Sequence, residues 1–131
     1  MPVFSLALLS CRGDVMQQTM RLRLVDECGF AEEFCVHSPG SLMTGLNAAY
    51  VRFRQYSNCQ FPALEMYLDH NHKWISPNFP SVFEYVLSTP LLSAPESGGL
   101  FQRIARMHRV LASMDNEEAQ LETLYLWLSE D

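Results

Sequence analysis

The chain has 131 residues and a formal net charge of −6, from 15 acidic and nine basic side chains. Its apolar content of 48% and charged content of 18% are typical of a single globular domain, and they exclude a disordered chain. The acidic balance disfavours nonspecific binding to nucleic acid, because neutralising phosphate groups requires surplus lysine and arginine.

Export and membrane signals are weak in this sequence. The apolar run at 3–9 has no basic flank and is too short for a signal peptide, and nothing approaches the ~20 apolar residues of a membrane span. The four cysteines contain no C-x-x-C pair, which excludes a zinc ribbon or a thioredoxin-type motif. We therefore expect a cytoplasmic protein with reduced thiols and no membrane partner.

The region 1–75 is predicted to be rich in β-strand. In 19–27, Met20, Leu22 and Leu24 alternate with polar residues, which indicates a strand with one buried face. A turn around Gly29 predicts a returning strand over 33–37. Residues 64–69 repeat the alternation, so an antiparallel β-roll or meander is the predicted arrangement.

Residues 41–58 have two interpretations. A helix would place four apolar residues on one face: Leu42, Leu46, Ala49 and Phe53. A hairpin would let Val51 and Phe53 alternate with their neighbours. We favour the hairpin because residues 50–56 are rich in aromatic and β-branched types, and the helix stays open as the alternative.

The second half of the chain has a different composition. Five of the seven prolines fall between Pro62 and Pro95, and we predict a proline-rich connector over 76–98 with one short helix at 81–87. Beyond it the apolar period is helical, which predicts a helix hairpin over 99–131. The whole chain is thus predicted to be one α+β domain, with the antiparallel sheet first and an antiparallel helix pair after it.

The last 17 residues carry six carboxylates and no lysine or arginine. Residue type predicts Asp115 or Asn116 as the N-cap of a helix there. Apolar side chains recur through the same helix and need a surface to cover them. We predict that five of them form a dimer or partner interface: Leu121, Leu124, Tyr125, Trp127 and Leu128.

Two pairs of possible metal ligands have the spacing of neighbours on one strand face. His70 and His72 are two residues apart, and Cys35 and His37 repeat that spacing on another predicted strand. The four side chains would suit zinc in type and number if the strands were neighbours. Surface histidines at a strand end are the simpler alternative, and we predict no metal and no cofactor.

The order of elements resembles the N-terminal regulatory domain of AraC-family transcription regulators. A β-roll, a Pro-Gly turn entering a strand at Pro39 and Gly40, a linker and two helices are similar to that domain over nearly the whole chain. The resemblance implies a cupin-like roll with a small-molecule effector pocket and a helical dimer interface. Six residues would line the pocket: Leu22, Leu24, Val51, Phe53, Leu64 and Met66.

Three functions follow as hypotheses. The first is a noncatalytic sensing and dimerisation module in bacterial transcription regulation, which would form a homodimer and would not bind nucleic acid by itself. The second is a small acidic inhibitor or adaptor, phage- or plasmid-borne, that docks its C-terminal helix on a basic protein partner. The third is a zinc-binding protein that uses His70 and His72. No residue set identifies a reaction, and we expect that the chain is not an enzyme.

Overall fold

A computed structural model describes residues 19–68, 71–89 and 98–129. These ranges contain four strands and four helices. In chain order they are β1 (Met20–Val25), β2 (Ala31–Val36), α1 (Pro39–Tyr56), β3 (Ala63–Leu68), β4 (Lys73–Ile75), α2 (Phe79–Ser88), α3 (Gly98–Ala112) and α4 (Glu117–Ser129). Within these ranges, no helix combines the length and apolar character needed to cross a bilayer.

The strands form one antiparallel sheet in the order β2–β1–β3–β4, which confirms the predicted α+β class. Leu22 pairs with Phe34 on one side and with Met66 on the other, so β1 is an interior strand. Because side chains alternate along a strand, the sheet has two different faces. One face is apolar and carries the buried residues Met20, Leu22, Leu24, Leu64, Met66 and Leu68.

The hairpin predicted for 41–58 is wrong, because these residues belong to α1. The Ser38 hydroxyl accepts a hydrogen bond from the Ser41 amide, the Ser41 hydroxyl accepts one from the Ser38 amide, and Pro39 opens the helix. This reciprocal cap is a strong start signal. The Pro-Gly turn that was predicted to enter a strand therefore begins a helix. The alternative interpretation is confirmed, since its four apolar residues are all buried on one face: Leu42, Leu46, Ala49 and Phe53.

The helices of the second half pack together and against α1. The Asn78 side chain accepts a hydrogen bond from the Ser81 amide and caps α2, which packs on α3. Asn116 caps α4 in the same way, accepting from the amides of Glu118 and Ala119, as one of the two predicted caps. Helix α4 contacts both α1 and α3, so the last helix closes the core.

An aromatic cluster joins four parts of the chain at the centre of this core. The Tyr125 ring stacks on Tyr50 of α1 at 4.5 Å between centroids, and on Phe61 of the α1–β3 loop at 5.9 Å. The ring of Phe79, at the start of α2, meets Tyr125 edge-on at 5.9 Å. Such pairs add to the stabilisation that burial of the rings provides.

Candidate functional site

The second face of the sheet is polar and aromatic, and we call it the open face. Arg23 pairs with Glu65 at 2.7 Å, and its guanidinium lies 3.9 Å from the centre of the Trp74 ring. Arg21 pairs with Glu33 and lies over Tyr67 at 4.5 Å. Each arginine thus combines an ion pair with a cation–π contact, which fixes planar side chains on this surface.

A groove of about 640 Å³ lies at one end of the open face. Its walls come from the end of β1, the β1–β2 turn, the α1–β3 loop, the start of β3 and the first turn of α4. The lining residues are Val25, Asp26, Glu27, Cys59, Gln60, Phe61, Ala63, Glu65 and Glu118. A volume of this size is in the range of binding clefts in proteins.

The β1–β2 turn is held by Asp26. One oxygen of its carboxylate accepts hydrogen bonds from the amides of Cys28 and Phe30, both at 2.8 Å. Gly29 between them has a φ of +109°, a conformation that glycine adopts without strain. The hydroxyl of Ser57 donates to the other carboxylate oxygen at 2.6 Å. This bond is the main reason why the pKa of Asp26 is lowered, so its charge is retained at neutral pH.

The same Ser57 hydroxyl orders the α1–β3 loop. It accepts a hydrogen bond from the Cys59 amide at 3.1 Å while it donates to Asp26. Because one hydroxyl serves both partners, the loop after α1 is tied to the turn after β1. The two walls of the groove are therefore fixed relative to each other.

The third wall is the start of α4, whose position is set by capping. The Gln120 side-chain amide donates to the carbonyl oxygens of Leu111 at 2.8 Å and Met114 at 3.1 Å, which closes the α3–α4 loop. With Asn116 capping the helix, Glu118 faces the groove from its first turn. A carboxylate in the first turn is also favoured by the helix dipole.

The groove is strongly acidic. Four carboxylates line it, and no lysine or arginine is among the described residues that form its walls. Glu65 forms an ion pair with Arg23 on the open face. A second cleft of about 320 Å³ borders the same helix turn and adds Asp115 and Glu117. This end of the molecule therefore concentrates negative charge around an apolar floor that includes Phe61.

The predicted interface residues of α4 lie mainly inside the chain. Leu124, Tyr125 and Leu128 are buried, with exposed fractions of 0%, 1% and 6%. Leu121 and Trp127 are half-buried against the same core. The prediction that these residues form a partner surface is thus wrong for the three buried ones, because α1, α3 and the rings of Phe61 and Phe79 already pack against this helix.

The predicted effector pocket is not formed by the residues assigned to it. Leu22, Leu24, Phe53, Leu64 and Met66 pack together as core. Val51 is 54% exposed on the far side of α1. The reason is again the helix at 39–56, which fills the space that a roll would have left open.

The four candidate zinc ligands are not brought together as a set. Cys35 and His37 belong to one edge of the sheet, in and just after β2, whereas His72 precedes β4 at the other edge. Two strands lie between these edges, which corresponds to about 14 Å. His70 lies outside the described residues. Within the described part of the chain, no group of three or more His, Cys, Asp or Glu side chains is placed to hold a metal ion.

Sequence reasoning missed the groove because its walls come from three separate segments of the chain. The acidic first turn of α4 was recognised, but nothing linked it to Asp26 and Glu27. A usable signal was present in the pair of acids directly after an alternating strand, a position where the chain must turn at the end of the sheet.

No protein-family model, curated protein or solved structure matches the chain. The resemblance to the AraC-type regulatory domain therefore depends on the sequence features alone and stays a prediction.

Proposed function

We propose that this chain is a noncatalytic adaptor or inhibitor that binds a basic segment of a partner protein in the acidic groove. The observation that carries the proposal is the composition of the groove: four carboxylates on fixed walls, with no lysine or arginine among its described lining residues. A lysine or arginine side chain could lay its aliphatic stem on Phe61 and Val25 and direct its charge to the carboxylates.

This proposal changes one part of the hypothesis drawn from the sequence. The apolar stripe of α4 is used for the core, so the helix contributes its charged first turn, through Glu118. Charge complementarity of this kind raises the association rate and selects partners, and it makes binding sensitive to salt.

The sensing and dimerisation hypothesis stays a prediction without support from these contacts. The residues on which it depended for a pocket and an interface are mostly core. We therefore give preference to the adaptor.

The test measures the affinity of a labelled peptide of alternating arginine and glycine by fluorescence anisotropy. A peptide of alternating glutamate and glycine is the negative control. Replacing two groove carboxylates in the variant Glu27→Gln/Glu118→Gln should weaken binding of the arginine peptide by about tenfold, since two close charges are lost. Raising the salt concentration should reduce the difference in affinity between the wild type and this variant.

The matched control is Glu84→Gln/Glu122→Gln, which removes the same formal charge from exposed helix positions outside the groove. It should change the affinity by less than about twofold. Equal loss in both variants would mean that net charge alone attracts the peptide, and the groove would not be the site.

A further inference from the structure

Two free cysteines lie beside the groove, one on each of the loops that Asp26 and Ser57 join. Cys28 is exposed in the β1–β2 turn, and Cys59 is half-buried in the α1–β3 loop. We propose that Cys28 and Cys59 form an intramolecular disulfide when the protein meets a small-molecule disulfide as oxidant. The inference does not depend on the proposed function.

The backbone geometry carries this proposal. The Cys28 amide donates to one oxygen of the Asp26 carboxylate, and the Cys59 amide donates to the Ser57 hydroxyl. The Ser57 hydroxyl in turn donates to the other Asp26 oxygen at 2.6 Å. Both cysteine backbones are therefore held by one continuous chain of short hydrogen bonds, although α1 and β2 separate them in the sequence.

The side chains are close as well. The Cys59 side chain is near enough to Cys28 to be the main electrostatic cause of the raised pKa of Cys28, followed by the charge of Asp26. A thiol with a raised pKa reacts slowly, because the thiolate is the attacking form. The two cysteines are thus positioned to form a disulfide, but they react slowly with oxidants.

The reaction is a double thiol–disulfide exchange. The Cys28 thiolate attacks the oxidant, forms a mixed disulfide and releases one reagent thiolate. The Cys59 thiolate then attacks the Cys28 sulfur, forms the protein disulfide and releases the second reagent thiolate. The two protein thiols give up two protons and two electrons, and the reagent disulfide is reduced to two thiols.

The acidic surroundings select the oxidant. Asp26 and Glu27 lie beside Cys28, and they repel an anionic reagent such as glutathione disulfide. The uncharged hydroxyethyl disulfide should therefore react faster than glutathione disulfide at equal concentration. Added salt should reduce this preference.

The experiment uses the full chain with Cys11→Ser/Cys35→Ser, so that only the proposed pair remains. After treatment with hydroxyethyl disulfide and trapping with N-ethylmaleimide, intact mass spectrometry should find a loss of about 2 Da and no maleimide adduct. Peptide mapping of the oxidised wild type should identify the same Cys28–Cys59 bond. The thermal midpoint should rise by about 10 °C, because the bond closes a loop of about 30 residues.

Adding Ser57→Ala removes the link between the loops and should slow formation of the bond by about tenfold. Ser113→Ala, an exposed serine of the α3–α4 loop, is the matched control and should leave the rate unchanged. A stable mixed disulfide on Cys28, or two thiols that still react with maleimide, would overturn the proposal. A wild-type map that joins Cys28 to another cysteine would do the same.

Discussion

Tyr125 connects the last helix to three other segments of the chain through its ring. Its hydroxyl donates to the Pro62 carbonyl oxygen at 3.5 Å, which is the outer limit of a hydrogen bond. Burial, followed by the nearby Tyr50, raises the pKa of Tyr125 well above 10.0. The ring therefore provides stacking and burial, while the hydroxyl makes the core sensitive to high pH.

The variant Tyr125→Phe should separate these two contributions. Because the pKa of Tyr125 is raised in the folded chain, the folded form keeps the phenol proton at pH values where the unfolded form has lost it. The contribution of this group to the free energy of unfolding is therefore complete below about pH 10 and falls as the pH rises further. The wild type should lose about 1.4 kcal/mol per pH unit above that value through this group. Tyr125→Phe should lack that loss, as measured by urea unfolding at about pH 9 and pH 11.

Near neutral pH the same variant should stay within about 1 kcal/mol of the wild type, because the hydroxyl has only one long hydrogen bond. Tyr56→Phe is the control, since Tyr56 is 68% exposed. It should retain the alkaline loss in full. Equal slopes for Tyr125→Phe and the wild type would show that Tyr125 ionises freely within the fold.

At the scale of elements, α1 explains where the sequence interpretation succeeded and failed. The alternation in β1 and β3 predicted two strands and their buried faces, because one side of each strand meets the core. Residues 50–56 misled the prediction, since their aromatic and β-branched types favour strands only as a local tendency. The cap formed by Ser38, Pro39 and Ser41, together with the apolar stripe of the helix, outweighs that tendency.

The contact between α1 and β2 leads to a prediction at Gly45. A Cβ atom at this position would overlap the Phe34 ring. Because Gly45 has no Cβ, α1 can lie close against β2. Gly45→Ala should therefore lower the free energy of unfolding by about 1–3 kcal/mol, despite the helix propensity that alanine gains. Chemical denaturation measures the change.

Gly99→Ala in α3 is the matched comparison, because a Cβ atom there has no neighbour within 4 Å. It should raise stability by up to about 1 kcal/mol. Phe34→Ala should cost less in the Gly45→Ala background than in the wild type, since it removes the overlap. Additive effects of the two changes would contradict a direct clash.

At the scale of the whole molecule, composition and apolar periodicity predicted the class of fold. They did not predict that the last helix covers the core of its own chain. The sheet-first order and the packed C-terminal helices are confirmed, because both follow from local patterns. Whether an amphipathic helix covers its own core or a partner depends on contacts between distant segments. The pattern of Leu124 and Leu128 is the same in both cases, so the sequence could not distinguish them.

Leu124→Asp tests that distinction directly. Leu124 is 0% exposed, so an aspartate there should unfold the chain, with a loss of more than about 4 kcal/mol. Circular dichroism and light scattering, measured together, should report lost structure and no folded species of smaller mass.

Leu126→Asp provides the control, since Leu126 is 58% exposed on the same helix. It should change stability by less than about 0.5 kcal/mol. If Leu124→Asp instead gave a folded protein with half the solution mass of the wild type, α4 would be an interface between subunits.

The position of β1 between β2 and β3 has a consequence during translation. When only the chain up to α1 has left the ribosome, β1 can pair with β2. The other edge of β1 stays unpaired at this stage, because β3 has not yet been released. A bare strand edge invites pairing with other chains. The nascent protein is therefore most prone to aggregate in the interval before residue 68 emerges, and slow codons just after α1 would prolong that interval.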